Sequence, residues 1–514
     1  MANETPRFQR TEAWLERQHE HFWRVFALSA SAGVLAGFGQ APFGAYPLTF
    51  IGLALGAALI QLAPTGRRAL LTGWALGLGY FALTFVWIVQ PFLVDIGRHG
   101  WMAPFALLFL SGGMALYWAG AAWLAKTVAG KHGAWVALGA AFGLAEMLRG
   151  WLFGGFPWGG PGLIWIDTPL AQLARLTGVY GLSALTVALG AALWPAMANV
   201  RRLAIWFGSA AVLVALAVVI TPRDPGSRDA TVRLVQPYAP QHLKWDPDHV
   251  MGFFDRAVEL TQTGGTPDLV IWPETSIPAP LGRAPGLEEQ AAAAAFPAPL
   301  IAGIQRVEGR TWRNSLVMYD GPGTIGWVYD KHHLVPFGEY VPLGDLAARF
   351  GINGLAAQDG AGYASGPGPV LRETPVGTVL PLICYEMIFA RDIRDATGRP
   401  DWILQSTNDA WFGTFSGPQQ HLVQARFRAI EFGLPIARAA NTGVSAMIDA
   451  RGSVTAKLPL GAPGVVDAPL PMSLPVTVYA RAGDLPLLVL SFGLLAALFW
   501  RNRRNSVDPT PPGG

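Results

Sequence analysis

The sequence predicts a polytopic α-helical membrane domain of eight spans joined to an α/β domain. Two observations carry that prediction. Of 514 residues, 52% are hydrophobic, with 20 Trp and 27 Phe, and only 14% are charged, against roughly 25% in an average soluble domain. From about residue 222 to 484 the long apolar stretches give way to short β-rich runs alternating with amphipathic ones. Mean hydropathy is +0.33. The formal net charge of +3 is too small to point to nucleic acid as a partner.

A helix needs roughly 20 apolar residues to cross the hydrocarbon. Such stretches fall at about 24–42, 45–64, 69–92, 102–125, 133–152, 172–197, 203–220 and 485–500. The first contains small residues that mimic a signal-peptide cleavage site, but a long polar prefix and seven further stretches favour a retained helix. The last is short, and "RNRR" follows at once to anchor it. Lys and Arg crowd the prefix (Arg7, Arg10, Arg17, Arg24), alternate loops (Arg67, Arg68; Lys126, Lys131; Arg201, Arg202) and the tail (Arg501, Arg503, Arg504). The intervening loops hold only Arg98 and Arg149. Positive charge stays on the cytoplasmic side, so both termini are expected there and the segment between spans seven and eight outside. The expected domains are a seven-helix membrane domain at 1–221, a soluble domain at 222–484, and a final span with its tail at 485–514.

In the soluble segment "TPRDPGSRDA" is a turn-rich linker. "TVRLVQ", "DLVIW", "PLIAGIQ", "NSLVMYDG", "VGTVLPLICY", "DWILQS" and "PIARAAN" read as strands. "DPDHVMGFFDRAVELTQTG" and "QQHLVQARFRAIEFG" read as amphipathic helices. Continuous Val/Ile/Leu runs fit strands covered on both faces, which implies an α/β sandwich. The Gly-rich stretch 351–369 is too long for a simple connector, and its composition fits a mobile lid and plain disorder equally.

Three strand ends carry chemistry. Glu274 follows an apolar run and Pro273, Lys331 follows another run with Glu339 in the loop beyond it, and Cys384, the only cysteine, ends a third. In open α/β sheets ligand chemistry collects beyond the carboxyl ends of strands. A lone thiol is most often a small buried hydrophobe, and acts as a nucleophile only with a base and a cation beside it. His332 and His333 are expected to point opposite ways along an extended segment and so to chelate poorly, and no HExxH or Cys-rich spacing occurs. No metal and no cofactor are expected. "HEH" at 19–21 reads as a solvated face.

"WPET", "DKHHLVPFGEYVP" and "LICYE", in that order, resemble the Glu-Lys-Cys signatures of the nitrilase (carbon–nitrogen hydrolase) superfamily. With the eight spans, "EMLRGWLFGGFPW" (146–158), "KWDP" (244–247) and "NDAWFG" (408–413), the chain resembles the apolipoprotein N-acyltransferase family over nearly its full length. One departure is "VQPYAPQ" (235–241), where the family more often has Asn near Tyr238, which bears on contacts at that edge. The resemblance implies a nitrilase-like α-β-β-α sandwich in the periplasm of a multi-pass bacterial inner-membrane protein. It implies Glu274 as general base, Cys384 as nucleophile, Lys331 as stabiliser of thiolate and oxyanion, and Glu339 as the acid that orients Lys331. Glu386 matches a further family acid that shapes the pocket, with a purely structural role as the alternative. Tyr385, Trp411, Phe412 and Trp245 are the remaining candidates for substrate contact, against simple packing. "GFPWGG" (155–160) suits a membrane-interface element.

The implied reaction moves a fatty acyl chain from a membrane phospholipid, through a Cys384 thioester, to the α-amino group of a diacylated apolipoprotein. An eight-helix base makes sense for such substrates, because each buried CH₂ holds about 0.8 kcal/mol of an acyl chain in the bilayer. A membrane-tethered amidase using water is the second hypothesis, and a channel or scaffold with an inert domain the third. The chain is expected to act as a monomer.

Overall fold

The computed structural model describes residues 5–129, 133–309, 311–341 and 362–507. It divides into two compact units, Met1–Val89 with Trp101–Thr221 and Thr477–Gly514, and Gln90–Gly100 with Pro222–Val476.

The first unit is helical. Among the described residues, five helices are long and apolar enough to cross a membrane: Ile96–Val128, Ala134–Gly154, Pro169–Ala196, Val200–Ile220 and Leu485–Arg504. Eight spans were expected from hydropathy. Phe22–Gly37 and Tyr46–Leu62 are apolar but have only 16 and 17 residues. The stretch expected as one span at 69–92 is broken: Gly66–Thr84 ends at Phe85 (φ −99°, ψ 16°), and Val86–Leu93 turns away by 63°. Hydropathy averages over such a break and cannot see it.

These helices approach closely where side chains are small. A Cβ on Gly33 would stand 1.9 Å from the Leu76 carbonyl oxygen, so Phe22–Gly37 and Gly66–Thr84 meet backbone to backbone only because Gly33 has none. The polar prefix also folds: Pro6–Gln18 is a helix with Phe8 and Leu15 buried, and the Phe8 ring lies 5.2 Å from that of Trp194. His19 is not on a solvated face as expected; it is buried, with Nε2 3.0 Å from the Leu59 carbonyl oxygen. Glu146 and Arg149 form a buried ion pair at 2.5 Å. Trp118 Nε1 donates to Glu146, and Arg149 donates to the carbonyls of Phe156 and Trp158, which ties the pair to the "GFPW" loop. Inside low-dielectric packing such charges persist only when paired in this way.

The described residues of the second unit form two sheets. Its strands are β1 (Ser227–Gln236), β2 (Leu269–Ile271), β3 (Leu300–Glu308), β4 (Thr311–Gly321), β5 (Thr324–Asp330), β6 (Val379–Ile383), β7 (Trp402–Thr407), β8 (Ile436–Ala440), β9 (Ala446–Ile448), β10 (Val454–Lys457) and β11 (Gly464–Pro471). One sheet runs β11-β1-β2-β3-β4-β5 and the other β10-β9-β8-β7-β6. β1, β2 and β3 are parallel, as are β6, β7 and β8, which fits their nearly continuous apolar character. Alternation along each strand sorts residues into two cores. Leu234, Ile271 and Leu316 share one apolar cluster with Val379, Trp402 and Ala437 of the other sheet. Their neighbours Val235, Trp272 and Val317 face a second cluster with Phe254 of helix Val250–Thr261 and Ala291 of helix Pro285–Ala295. The Gly-rich segment, for which a lid and disorder were left open, lies outside the described residues up to 361. Where the chain returns, Ala364 N–H donates to the Trp312 carbonyl and Gly366 N–H to that of Lys331.

Candidate active site

Four strands of the second unit deliver residues to one place from their carboxyl ends. β2 stops because Pro273 has no N–H to continue the ladder, and Glu274 follows it. The turn bends sharply, with Thr275 at φ +46°. It lies so close on β3 that a Cβ at Gly303 would meet Thr275 N at 2.3 Å and Glu274 Cα at 2.6 Å. β5 ends at Asp330, and Lys331 N–H donates to the Asn314 carbonyl of β4 at 2.8 Å. β6 ends at Ile383, and Cys384 takes φ +51°, a conformation unusual for a residue with a side chain. β7 ends at Thr407, and Asn408 follows.

The charged side chains form a closed network. Lys331 Nζ lies 2.9 Å from Glu339 Oε1 and 3.6 Å from Glu274 Oε1, with the Lys331 side chain 1% exposed. Asn314 Nδ2 donates to Glu274 Oε1 at 2.7 Å and to Glu339 Oε1 at 3.1 Å. The second oxygens are also taken: Glu339 Oε2 accepts from Val335 N–H, and Glu274 Oε2 from Asn408 N–H, each at 2.8 Å. Burial opposes the Lys331 charge, but the Glu339 and Glu274 carboxylates outweigh it and raise its pKa, so the ammonium persists at any physiological pH. Burial pushes the Cys384 thiol up, and Glu274 adds to the shift while Lys331 pulls against it. The resting group is therefore a protonated thiol, and a base must take its proton as it attacks.

Glu386 sits behind this network rather than in an opening. It is 0% exposed. It accepts from Ile383 N–H (2.6 Å), Tyr329 OH (2.9 Å), His332 N–H (2.6 Å) and His333 N–H (3.2 Å). The carboxylate thus clamps the segment carrying Lys331 to the turn carrying Cys384. His332 and His333 do not point apart as an extended segment would require, because the chain turns after β5. Both approach Asp392 Oδ2, at 3.4 and 3.1 Å.

The aromatic candidates divide. Tyr385 is buried and packs edge-on against the rings of His333 and Phe389. Phe412 meets the His421 ring edge-on at 5.6 Å, and Trp411 beside it is half-buried. Trp245 is exposed and lines a cavity with Lys244, Phe253, Phe254 and Thr275. The departure near Tyr238 falls where the backbone is left-handed (φ +56°), a conformation asparagine adopts more readily than a bulky side chain.

Sequence reasoning missed three groups: Asn314, Lys244 and the Asp409–His421–Arg438 cluster. Asn314 lies within an apolar strand run, and Lys244 and Asp409 stand inside the quoted "KWDP" and "NDAWFG" stretches, where the sequence alone gave them no role. His421 Nδ1 is 2.9 Å from Asp409 Oδ1, and its Nε2 3.3 Å from the Cys384 carbonyl oxygen. Arg438 pairs with Asp409, whose carboxyl is depressed to about 2: burial acts against that shift, and Arg438 and His421 overcome it.

The family profile described as "Apolipoprotein N-acyltransferase N-terminal domain" matches residues 32–193, and that described as "Carbon-nitrogen hydrolase" matches 231–475. Among solved structures, an amidase from Nesterenkonia sp. is 19% identical with a TM-score of 0.36, covering 52% of this chain and 98% of that one. The apolipoprotein N-acyltransferase of Caulobacter vibrioides is 38% identical, over 93% of this chain and 94% of the relative. That of Rhodopseudomonas palustris is 36% identical, over 96% of each. Full-length similarity at this level, spanning both the helical and the sheet-bearing unit, makes the chain a member of the apolipoprotein N-acyltransferase family, an N-acyltransferase bound to the membrane.

Proposed function

We propose that the enzyme transfers a fatty acyl chain from a membrane phospholipid to the α-amino group of the N-terminal S-diacylglyceryl cysteine of apolipoproteins, through a thioester on Cys384. The observation that carries the proposal is the buried Glu274–Lys331–Glu339 network at the strand ends, with Cys384 within its electrostatic reach.

In the first half-reaction Glu274 takes the Sγ proton as Cys384 attacks the ester carbonyl. Lys331 stabilises the oxyanion, and removing one such donor typically costs about 10²–10³ in rate. The ester C–O bond breaks, the alkoxide takes the proton from Glu274, and lysophospholipid leaves. In the second half the acceptor amine attacks the thioester, Glu274 receives a proton from the nitrogen, and the C–S bond breaks. The Cys384 thiolate is reprotonated from Glu274. Glu339 holds Lys331 in place, and Glu386 holds the segments of Lys331 and Cys384 together. Trp245, Trp411 and Phe412 contact the acyl chains, and Tyr385 supports the nucleophile turn.

The same proposal includes eight spans, with the 16- and 17-residue helices crossing where the bilayer thins around them. It places both termini in the cytoplasm and an α-β-β-α catalytic domain at 222–484 on the periplasmic side of the inner membrane, between a seven-helix domain at 1–221 and a final span at 485–514. The protein acts as a monomer. Supporting the sidedness is the crowding of Lys and Arg into alternate loops.

The acceptor is tested by mixing enzyme, phospholipid and a synthetic diacylated lipopeptide, then weighing the peptide. A gain of one acyl group with a free α-amine, and none with an acetylated one, is expected. Release of free fatty acid with no gain in peptide mass would replace the transferase by a membrane-tethered lipid hydrolase that discharges the thioester with water.

A further inference from the structure

Lys244 is 6% exposed and lies in the loop between β1 and helix Val250–Thr261. Its Nζ donates to the Glu274 carbonyl oxygen at 3.0 Å and to Thr275 Oγ1 at 2.9 Å. Those acceptors flank a single peptide unit, the one that leads into the left-handed Thr275 at φ +46°. A β-branched residue there is strained, and such strain persists only where the surroundings hold it. Gly303 backs the turn from β3, and Lys244 grips it from the opposite loop.

Charge balance gives Lys244 a second task. Glu274 and Glu339 are two carboxylates, and Lys331 is one cation. With Lys244 protonated the buried set is neutral, and it stays neutral when the thiol proton moves to Glu274 and the oxyanion forms. Without that charge the set carries one net negative charge throughout, which opposes a thiolate or an oxyanion.

We propose that Lys244 is a positioning residue that fixes the Glu274 turn and supplies the second cation that lets Cys384 ionise. The inference draws its catalytic meaning from the acyl-transfer proposal. Burial lowers the Lys244 ammonium to about 8, against the pull of Glu274 and Cys384. The groups around it are Glu274 and Thr275 from the turn after β2, Cys384 from the nucleophile turn, and the Trp245 ring at 5.8 Å from its own loop. Lys331 and Glu339 lie beyond Glu274. Loss of the Lys244 proton above pH 8 therefore restrains thiolate formation in the range where a free thiol would ionise.

The test is the rate at which iodoacetamide alkylates the full-length protein in detergent, from pH 6 to 10, which needs no phospholipid. Cys384 is the sole thiol, so mass reports it alone. Lys244→Met is expected to slow alkylation about tenfold at pH 8 and to move its profile up by about one pH unit. Lys244→Arg keeps its charge, restores most of the rate, and exceeds wild type above pH 8. An unmoved Lys244→Met profile overturns the inference, as does a uniform slowing that Arg does not rescue. Should Lys244→Met fail to melt cooperatively, the comparison of Lys244→Arg with wild type above pH 8 decides. Acylation of the wild type by phospholipid, measured separately, tests the acyl-transfer proposal.

Discussion

Asn408 N–H, just past β7, donates to Glu274 Oε2 at 2.8 Å. This bond crosses from one sheet to the other and, with Asn314 Nδ2 on the first oxygen, leaves the Glu274 carboxylate little freedom to rotate. A general base so held can meet a proton at one position only, which is what a proton transfer at a buried thiol requires.

Asn314→Ala is expected to lower the acylation rate about 10–100-fold. It removes a donor shared by Glu274 and Glu339, and hydrogen bonds to charged groups are worth about 1.5–3 kcal/mol. Single-turnover acylation separates this loss from acceptor binding. A rate within twofold of wild type would deny Asn314 any part in holding the base.

Glu386→Ala is expected to destabilise the protein and to slow acylation together, since it strands the Ile383, His332 and His333 N–H groups in the interior. The expected cost is about 3 kcal/mol or more, read as a lower melting temperature in detergent. A variant with normal melting and weaker substrate binding would return Glu386 to the substrate pocket.

His332 gives a pH signature. Burial lowers its pKa, but hydrogen bonds and charge from Asp392 and Glu386 raise it to about 10. A folded pKa above the unfolded value near ~6.5 means its contribution to stability is complete below that pH and is lost as pH rises through about 10. The melting temperatures of wild type and His332→Gln should therefore differ most below pH 6.5 and converge by pH 10. A gap that stays constant with pH contradicts a charged His332.

The strands that end at the site were legible because continuous Val/Ile/Leu runs have few other uses, and Pro273 marks where β2 must stop; β9, β10 and β11, short or interrupted by polar residues, were not. That Glu274, Lys331 and Cys384 follow strand ends was legible for the same reason. Their companions were not. Asn314 looks like any polar residue in a half-buried strand, and its two carboxylate partners lie 40 and 25 residues away. His421 falls in a stretch expected to form an amphipathic helix, but helix Gly417–Phe432 is buried on nearly all sides, so His421, Gln424, Arg428 and Glu431, which look like a solvated face in the sequence, lie in the interior. The break at Phe85 and the burial of His19 depend on neighbours that local hydropathy does not include.

Sidedness can be read with single cysteines in a Cys384→Ala background, which has no other thiol. Gln262→Cys in the second unit should react with a membrane-impermeant maleimide in spheroplasts. Thr65→Cys, beside Arg67 and Arg68, should react only after permeabilisation. Labelling of Thr65→Cys in intact spheroplasts would reverse the proposed orientation.

The most direct test is the intact mass of the purified enzyme after incubation with phospholipid alone. The account predicts a gain of one acyl group, absent in Cys384→Ala and strongly slowed in Glu274→Gln. No adduct in the wild type, or the same adduct in Cys384→Ala, would contradict it.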